Sequence, residues 1–425
     1  MLQAARTSRP ADGEHWKRAF NLGLLIAGMG IGQGTVFAAQ TWLLAQGRFA
    51  LLSTFSAHYA VSTLAVLVVD SGASTILARE TARTGMGAAG DIWSTFSETS
   101  LFRSLLAGAV GAAAAAYALG VTPDAFSRNY LLFCLPGWLI WSCNGGGLLD
   151  GLKLSGLGGL CGAITYAASA GALLLGPPEP TASAGVMLGG AFSIGCGLTV
   201  AAQWAALTSA GQPPRLRRVT AAGLRRAARD GVALLFQLLP GQLNSRGALL
   251  LSAAYLGAET TAVFAYVKQL IIALATIIVF LLRIDFPALV QKLSLREHQS
   301  FLGIFSAQKI TLYCSLIMTL GAVVIALAAS AAPASNFSRA ASLLLLFAPT
   351  VLTASLSMML VQGLAALGAY LPMARIVTLS AVLGITASYV FIDVFGIYAL
   401  LAGELLFHFA GFSLAYIEIR RLRFW

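Results

Sequence analysis

The chain has 425 residues, of which 58% are hydrophobic and only 10% are charged. Soluble domains contain about 25% charged residues, and surface-to-volume scaling prevents a soluble fold from burying so large an apolar share. These values exclude a soluble enzyme, a disordered chain and a nucleic-acid-binding protein, despite the net charge of +11. They predict an all-α, polytopic membrane protein.

Twelve stretches are apolar and long enough to cross a membrane, since about 20 helical residues span the ~30 Å of hydrocarbon. The first six are Phe20–Leu44, Leu51–Val69, Leu101–Leu119, Tyr130–Leu149, Leu157–Leu175 and Ala182–Leu207. The second six are Val232–Leu256, Thr261–Leu282, Ile310–Ala332, Ala340–Leu367, Tyr370–Ile392 and Phe395–Ile417. This pattern predicts two bundles of six transmembrane helices.

The positions of Lys and Arg predict which way the loops face. The N-terminal tail and every second loop carry 22 of the 27 basic residues, and Arg103 is counted among them. The opposite loops carry three, and Arg246 and Lys268 fall inside spans. Because cytoplasmic loops collect Lys and Arg, both termini are expected in the cytoplasm.

A polar stretch with six arginines, Ser209–Asp230, divides the chain. It predicts an N-terminal lobe over residues 1–208, a basic cytoplasmic linker over 209–231 and a C-terminal lobe over 232–425. Within the linker, Val219–Asp230 is either a basic amphipathic helix on the inner membrane surface or an ordinary positive loop. The arrangement of six spans plus six favours an internal duplication, which is common in transporters.

Motifs for ATP hydrolysis, metal binding and nucleophilic catalysis are missing from the sequence. The nearest approach to a phosphate-binding loop, Gly146–Gly151, is followed by Leu152 where lysine is needed. The short outward loops leave little room for an external catalytic site. No cofactor or metal is expected, and transport would draw on an ion gradient, the membrane potential or consumption of the product.

Two cations inside predicted spans point to an anion site. Arg246 and Lys268 lie at similar depth on antiparallel spans, and a buried charge costs at least ~2.5–3.5 kcal/mol. Together with Gln242 and Asn244 they would bind a phosphate-bearing substrate. The alternative is that both side chains extend towards water, or that Arg246 pairs with Glu404 of the last span.

Other charged residues suggest coupling or gating. Glu404 and His408 stand one helical turn apart and form either a proton-coupling pair or a structural ion pair. Asp70 follows the second span, and Arg283 and Asp285 end the eighth. These three would form interfacial ion pairs or part of an inner gate.

Several stretches resemble the polysaccharide flippases of the multidrug/oligosaccharidyl-lipid/polysaccharide exporter superfamily. They are Gly28-Met-Gly-Ile-Gly-Gln33-Gly34, Val69-Asp70-Ser-Gly72, Leu256-Gly257 with Phe264-Ala-Tyr266-Val-Lys268, and Phe286-Pro287-Ala288-Leu289. The sequence departs from the family pattern at Val263-Phe264, where Gly-Tyr is usual, and at Arg246, which stands near the usual place of an acid.

The resemblance implies two six-helix bundles arranged as a V around a central basic cavity, with Gln33, Arg246 and Lys268 on its walls. It further implies flipping of polyprenyl-diphosphate-linked oligosaccharide across the bacterial cytoplasmic membrane, for lipopolysaccharide, exopolysaccharide or related surface polysaccharide synthesis. Candidate partners are that glycolipid, membrane lipids, a polysaccharide polymerase and glycosyltransferases, with no nucleic acid and no enzymatic activity of its own.

Three alternatives stay open at this point. An ion-coupled drug or cation exporter could share the fold, although it would favour acids over Arg and Lys in its cavity. A membrane glycosyl- or acyltransferase is disfavoured by the short outward loops and the missing acid/base clusters. A non-transporting scaffold would not need two cations inside the membrane.

Overall fold

The computed structural model describes residues 12–84, 92–122, 124–293, 301–330, 336–367 and 369–423, which form helices joined by short turns. This confirms the all-helical fold class. The helices pack as two compact units. Unit 1 comprises residues up to Val36, Val69–Gly176 and Gly185–Val232, and unit 2 comprises Phe37–Val68, Pro177–Ala184 and Ala233 onwards. The lobe boundaries given above stay a prediction.

The described helices follow the predicted spans closely. The first eight are α1 (Asp12–Ala45), α2 (Phe49–Asp70), α3 (Ala73–Thr84), α4 (Ile92–Gly120), α5 (Ala125–Trp141), α6 (Gly146–Gly151), α7 (Ser155–Leu175) and α8 (Ala182–Ser209). The other eight are α9 (Ala221–Tyr255), α10 (Gly257–Leu293), α11 (Phe301–Ala307), α12 (Lys309–Ser330), α13 (Asn336–Phe347), α14 (Pro349–Ala366), α15 (Tyr370–Phe395) and α16 (Ile397–Arg423).

Among the described residues, 10 helical segments are long and apolar enough to cross a membrane, so the chain is a multi-pass membrane protein. The first and seventh predicted spans are helical as well, as parts of α1 and α9, but they are not among these ten. The fourth span is divided into α5 and α6, and the tenth into α13 and α14.

The basic stretch between α8 and α9 is partly helical. From Ala221 onwards it belongs to α9, which continues without interruption through the seventh predicted span. Thr220 begins this helix, because its Oγ1 accepts the Gly223 N–H at 3.0 Å and donates to Glu98 Oε1 at 2.9 Å. Residues 221–230 are therefore neither a loop nor a separate surface helix.

Arg103 is the main polar contact inside unit 1. Its side chain on α4 is fully buried, which corrects its assignment to the cytoplasmic surface. One Nη donates to Asp70 Oδ1 at 2.6 Å and the other to the Asn144 carbonyl at 2.8 Å. Asp70 precedes a sharp corner at Ser71 and Gly72, both at positive φ, and Asn144 lies in the break between α5 and α6. The Arg103 guanidinium thus connects Asp70, at the corner, to the Asn144 carbonyl. The break between α5 and α6 leaves this carbonyl without a partner within a helix.

We expect Arg103→Met to lower the free energy of unfolding by about 3 kcal/mol, because Asp70 would keep its charge and lose its cation. Thermal unfolding of the full chain in detergent micelles measures this change. The control is Arg128→Met, which removes an exposed arginine at the start of α5. Equal melting temperatures of the Arg103 variant and the control would contradict a bracing role.

In unit 2, α10 packs against α12, α13 and α14, and α16 packs against α14 and α15. Gly384 of α15 and Gly403 of α16 face each other at short range. A Cβ built on Gly384 would lie 2.7 Å from the Gly403 carbonyl oxygen, which is closer than real Cβ atoms approach. The two glycines therefore permit close packing of α15 against α16, immediately beside Glu404.

Candidate functional site

A helical hairpin of unit 2 carries both predicted intramembrane cations. Only Leu256 separates α9 from α10, and Gly257, at φ 76, makes the reversal. At 1.5 Å per residue, Arg246 lies about 14 Å before the end of α9 and Lys268 about 16 Å after the start of α10. The two residues therefore lie at similar distances from the turn between the two helices, and their depth in the membrane stays a prediction.

Lys268 is bound by a carboxylate. Its Nζ lies 2.6 Å from both Oε1 and Oε2 of Glu404, and both residues are buried. Such close contact to both oxygens makes two buried charges tolerable. An acid of the last span does neutralise a cation, but its partner is Lys268 and not Arg246.

His408 extends this pair along α16. Its Nε2 lies 3.9 Å from Glu404 Oε1, and its ring is buried. We call Lys268, Glu404 and His408 the charged row. His408 also borders an apolar groove of about 630 Å³ between α14 and α16, which contains Thr353 and Phe409. The spacing of Glu404 and His408 in sequence thus corresponds to real proximity.

The polar residues of α9 point in different directions. Gln242 is exposed, and Arg246 on the same face is half-buried, without an ion pair or hydrogen bond to any side chain that the structure describes. Asn244 is buried, and its Oδ1 would lie 2.8 Å from a Cβ built on Gly384 of α15. Residues two apart lie on opposite sides of a helix, so Asn244 does not share a surface with Arg246.

The remaining predicted site residues lie elsewhere. Gln33 is a half-buried residue of α1 in unit 1. Asp70, also in unit 1, pairs with Arg103. Asp285 of α10 is buried and accepts a hydrogen bond from Thr311 Oγ1 at 2.8 Å. The expected pairing of Arg283 with Asp285 falls outside the described side chains.

Sequence reasoning missed two of these partners. Arg103 stands among Leu101, Phe102 and Leu105, and this apolar neighbourhood could have identified it as a buried residue of the third span. Thr311 gives no comparable signal, because a threonine near the start of a span is ordinary. Both partners matter, since each holds an acid that the sequence suggested for a gate.

No family model matches the sequence, and no curated protein matches it. Several solved structures do match the fold of the chain. An inward-facing multidrug resistance MATE family transporter of the MOP superfamily aligns over 96% of this chain and 98% of its own, with a TM-score of 0.68 and 15% identity. The lipid II flippase MurJ, in an inward closed conformation, aligns over 96% of this chain and 86% of its own, with a TM-score of 0.63 and 11% identity.

A eukaryotic MATE transporter, AtDTX14, aligns over 96% of this chain and 95% of its own, with a TM-score of 0.51 and 12% identity. These identities of 11–15% show a shared fold and are too low to transfer an activity. The chain therefore has the fold of these MATE transporters and of MurJ.

Proposed function

We propose that the chain is a flippase that moves polyprenyl-diphosphate-linked oligosaccharide across a bacterial cytoplasmic membrane. Arg246 carries the proposal: it is a half-buried cation about 14 Å inside α9, unpaired among the described side chains. A charge in this setting is costly unless water or an anion receives it. An anionic substrate group that enters the membrane region would supply such an anion.

A diphosphate linked to a glycan meets this requirement. Neither the hydroxyl-rich sugar nor the charged diphosphate can enter hydrocarbon without compensating hydrogen bonds. Arginine offers a planar fork that matches two phosphate oxygens at once. Outward movement of negative charge is also favoured by an inside-negative potential, by ~2.3 kcal/mol per charge per 100 mV.

The charged row gives Lys268 a conditional role in this proposal. Its two bonds to Glu404 leave it little free charge for a phosphate at rest. A phosphate oxygen that reaches Lys268 must displace the Glu404 carboxylate, which is then free to take a proton beside His408. The phosphate and the Glu404 carboxylate would thus compete for one cation, so that substrate binding would favour proton uptake by Glu404.

A second candidate is an ion-coupled exporter of cationic drugs. The buried carboxylate of Glu404 favours it, since an acid inside the membrane can bind a cation, and the structural neighbours include multidrug transporters. Against it, Lys268 already occupies both oxygens of that carboxylate.

A transport assay with the purified full chain in proteoliposomes distinguishes the flippase from the drug exporter. We expect it to speed the flipping of a fluorescent polyprenyl-diphosphate-linked disaccharide, measured as accessibility to a membrane-impermeant quencher, at least tenfold over empty vesicles. A cationic dye should not be transported. The opposite pair of results would replace the proposed function with the drug exporter.

A further inference from the structure

A second cavity, with a partly polar lining, lies in unit 2, apart from the charged row. It has a volume of about 520 Å³ and lies where α10 ends, α11 runs and α12 begins. Its polar lining consists of Lys292, Ser306, Lys309 and Tyr313, and Phe305 and Leu312 form apolar walls. None of the functional candidates above belongs to it.

Positive charge dominates this cavity. Lys292 Nζ donates to Ser306 Oγ at 2.6 Å, and Lys309 is exposed at the first position of α12. Among the described residues, neither lysine forms a salt bridge, and the lining contains no carboxylate. Among the described residues, two ammonium groups and two hydroxyls line this cavity without a carboxylate, and such a lining suits an anion.

The cavity continues into an apolar track along α12. Tyr313 lies one turn, or about 6 Å, beyond Lys309, and its side chain is 62% exposed. Ile317 and Leu320, 67% and 55% exposed, follow on the same face. Since α12 is a membrane span that begins at Lys309, the order is cation, aromatic ring, then aliphatic side chains, as at a membrane interface.

We propose that this cavity binds the phosphate headgroup of an anionic phospholipid, with one acyl chain lying along Tyr313, Ile317 and Leu320. Inorganic phosphate would satisfy the lysines but leave the apolar track without a role. A zwitterionic lipid would use the track and place its own cation beside two ammonium groups. An anionic phospholipid accounts for both the two lysines and the apolar track.

Native mass spectrometry of the delipidated full chain tests the proposal with phosphatidylglycerol and phosphatidylcholine as probes. We expect one phosphatidylglycerol to bind more tightly than phosphatidylcholine. Lys292→Gln/Lys309→Gln should weaken that binding about 25-fold, because each lysine near an anionic headgroup contributes a factor of about five. Lys292→Arg/Lys309→Arg should restore it.

The control is Arg128→Gln/Arg375→Gln, which removes the same charge from exposed positions of α5 and α15 and should leave the bound lipid unchanged. Equal affinity of the wild type and the Lys292→Gln/Lys309→Gln variant would overturn the proposal. Equal retention of phosphatidylcholine would do so as well. Displacement of the lipid by inorganic phosphate alone would show that the site recognises a free ion and not a lipid.

Discussion

Lys268→Met should destabilise the protein by about 3–5 kcal/mol, one of the largest effects expected of a single substitution. The variant leaves the Glu404 carboxylate buried and without its cation, and an uncompensated buried charge is far more costly than a neutral pair. Thermal or denaturant unfolding of the full chain in detergent micelles measures the loss. Glu404→Met should cause a loss of similar size, because it leaves Lys268 unpaired.

The double variant Lys268→Met/Glu404→Met tests the reason for the effect. It should recover most of the lost stability, since it removes both charges and keeps the volume. The matched control is Arg339→Met, which breaks an exposed ion pair with Glu259 in the same unit and should cost less than about 1 kcal/mol. Additive losses in the double variant would mean that Lys268 and Glu404 stabilise the fold independently.

Arg246→Ala should slow glycolipid flipping about 10- to 100-fold, the range expected for the loss of charge-assisted hydrogen bonds to a phosphate. The proteoliposome assay with the polyprenyl-diphosphate-linked disaccharide measures the rate. Arg246→Lys should give an intermediate rate, because it keeps the charge and loses the bidentate fork. Stability should change little, since Arg246 has no partner among the described side chains.

Arg375→Ala is the control for this prediction, because it removes an exposed arginine from α15 in the same unit. It should flip the disaccharide at the wild-type rate. An Arg246→Ala variant as fast as this control would remove Arg246 from the mechanism and leave the fold unaffected. Loss of flipping together with loss of stability would assign Arg246 a structural role instead.

The helical fold could be predicted because the decisive information is local. A span needs about 20 consecutive apolar residues, and this requirement is visible without any knowledge of tertiary contacts. Breaks inside spans were harder to predict. The division of the fourth span between α5 and α6 depends on Asn144 and Gln203, which bind backbone groups around Gly145 and Gly146.

The candidate site could be predicted only in part, because pairing depends on distant segments. Glu404 and His408 share a helix, and their spacing alone places them together. Lys268 and Glu404 are separated by 136 positions, and nothing in either segment shows that they meet. The sequence therefore indicated which residues are costly to bury but not which partner offsets each charge.

The length of helix α9 and the position of Pro240 within it determine where this helix can bend. Its 35 residues from Ala221 to Tyr255 form a rod about 50 Å long, with exposed arginines at one end and Arg246 towards the other. Pro240 lacks the N–H that would bond to the Phe236 carbonyl. The helix is therefore expected to bend most easily at Pro240. A bend at Pro240 would therefore change the direction of residues 241–255, which carry Arg246.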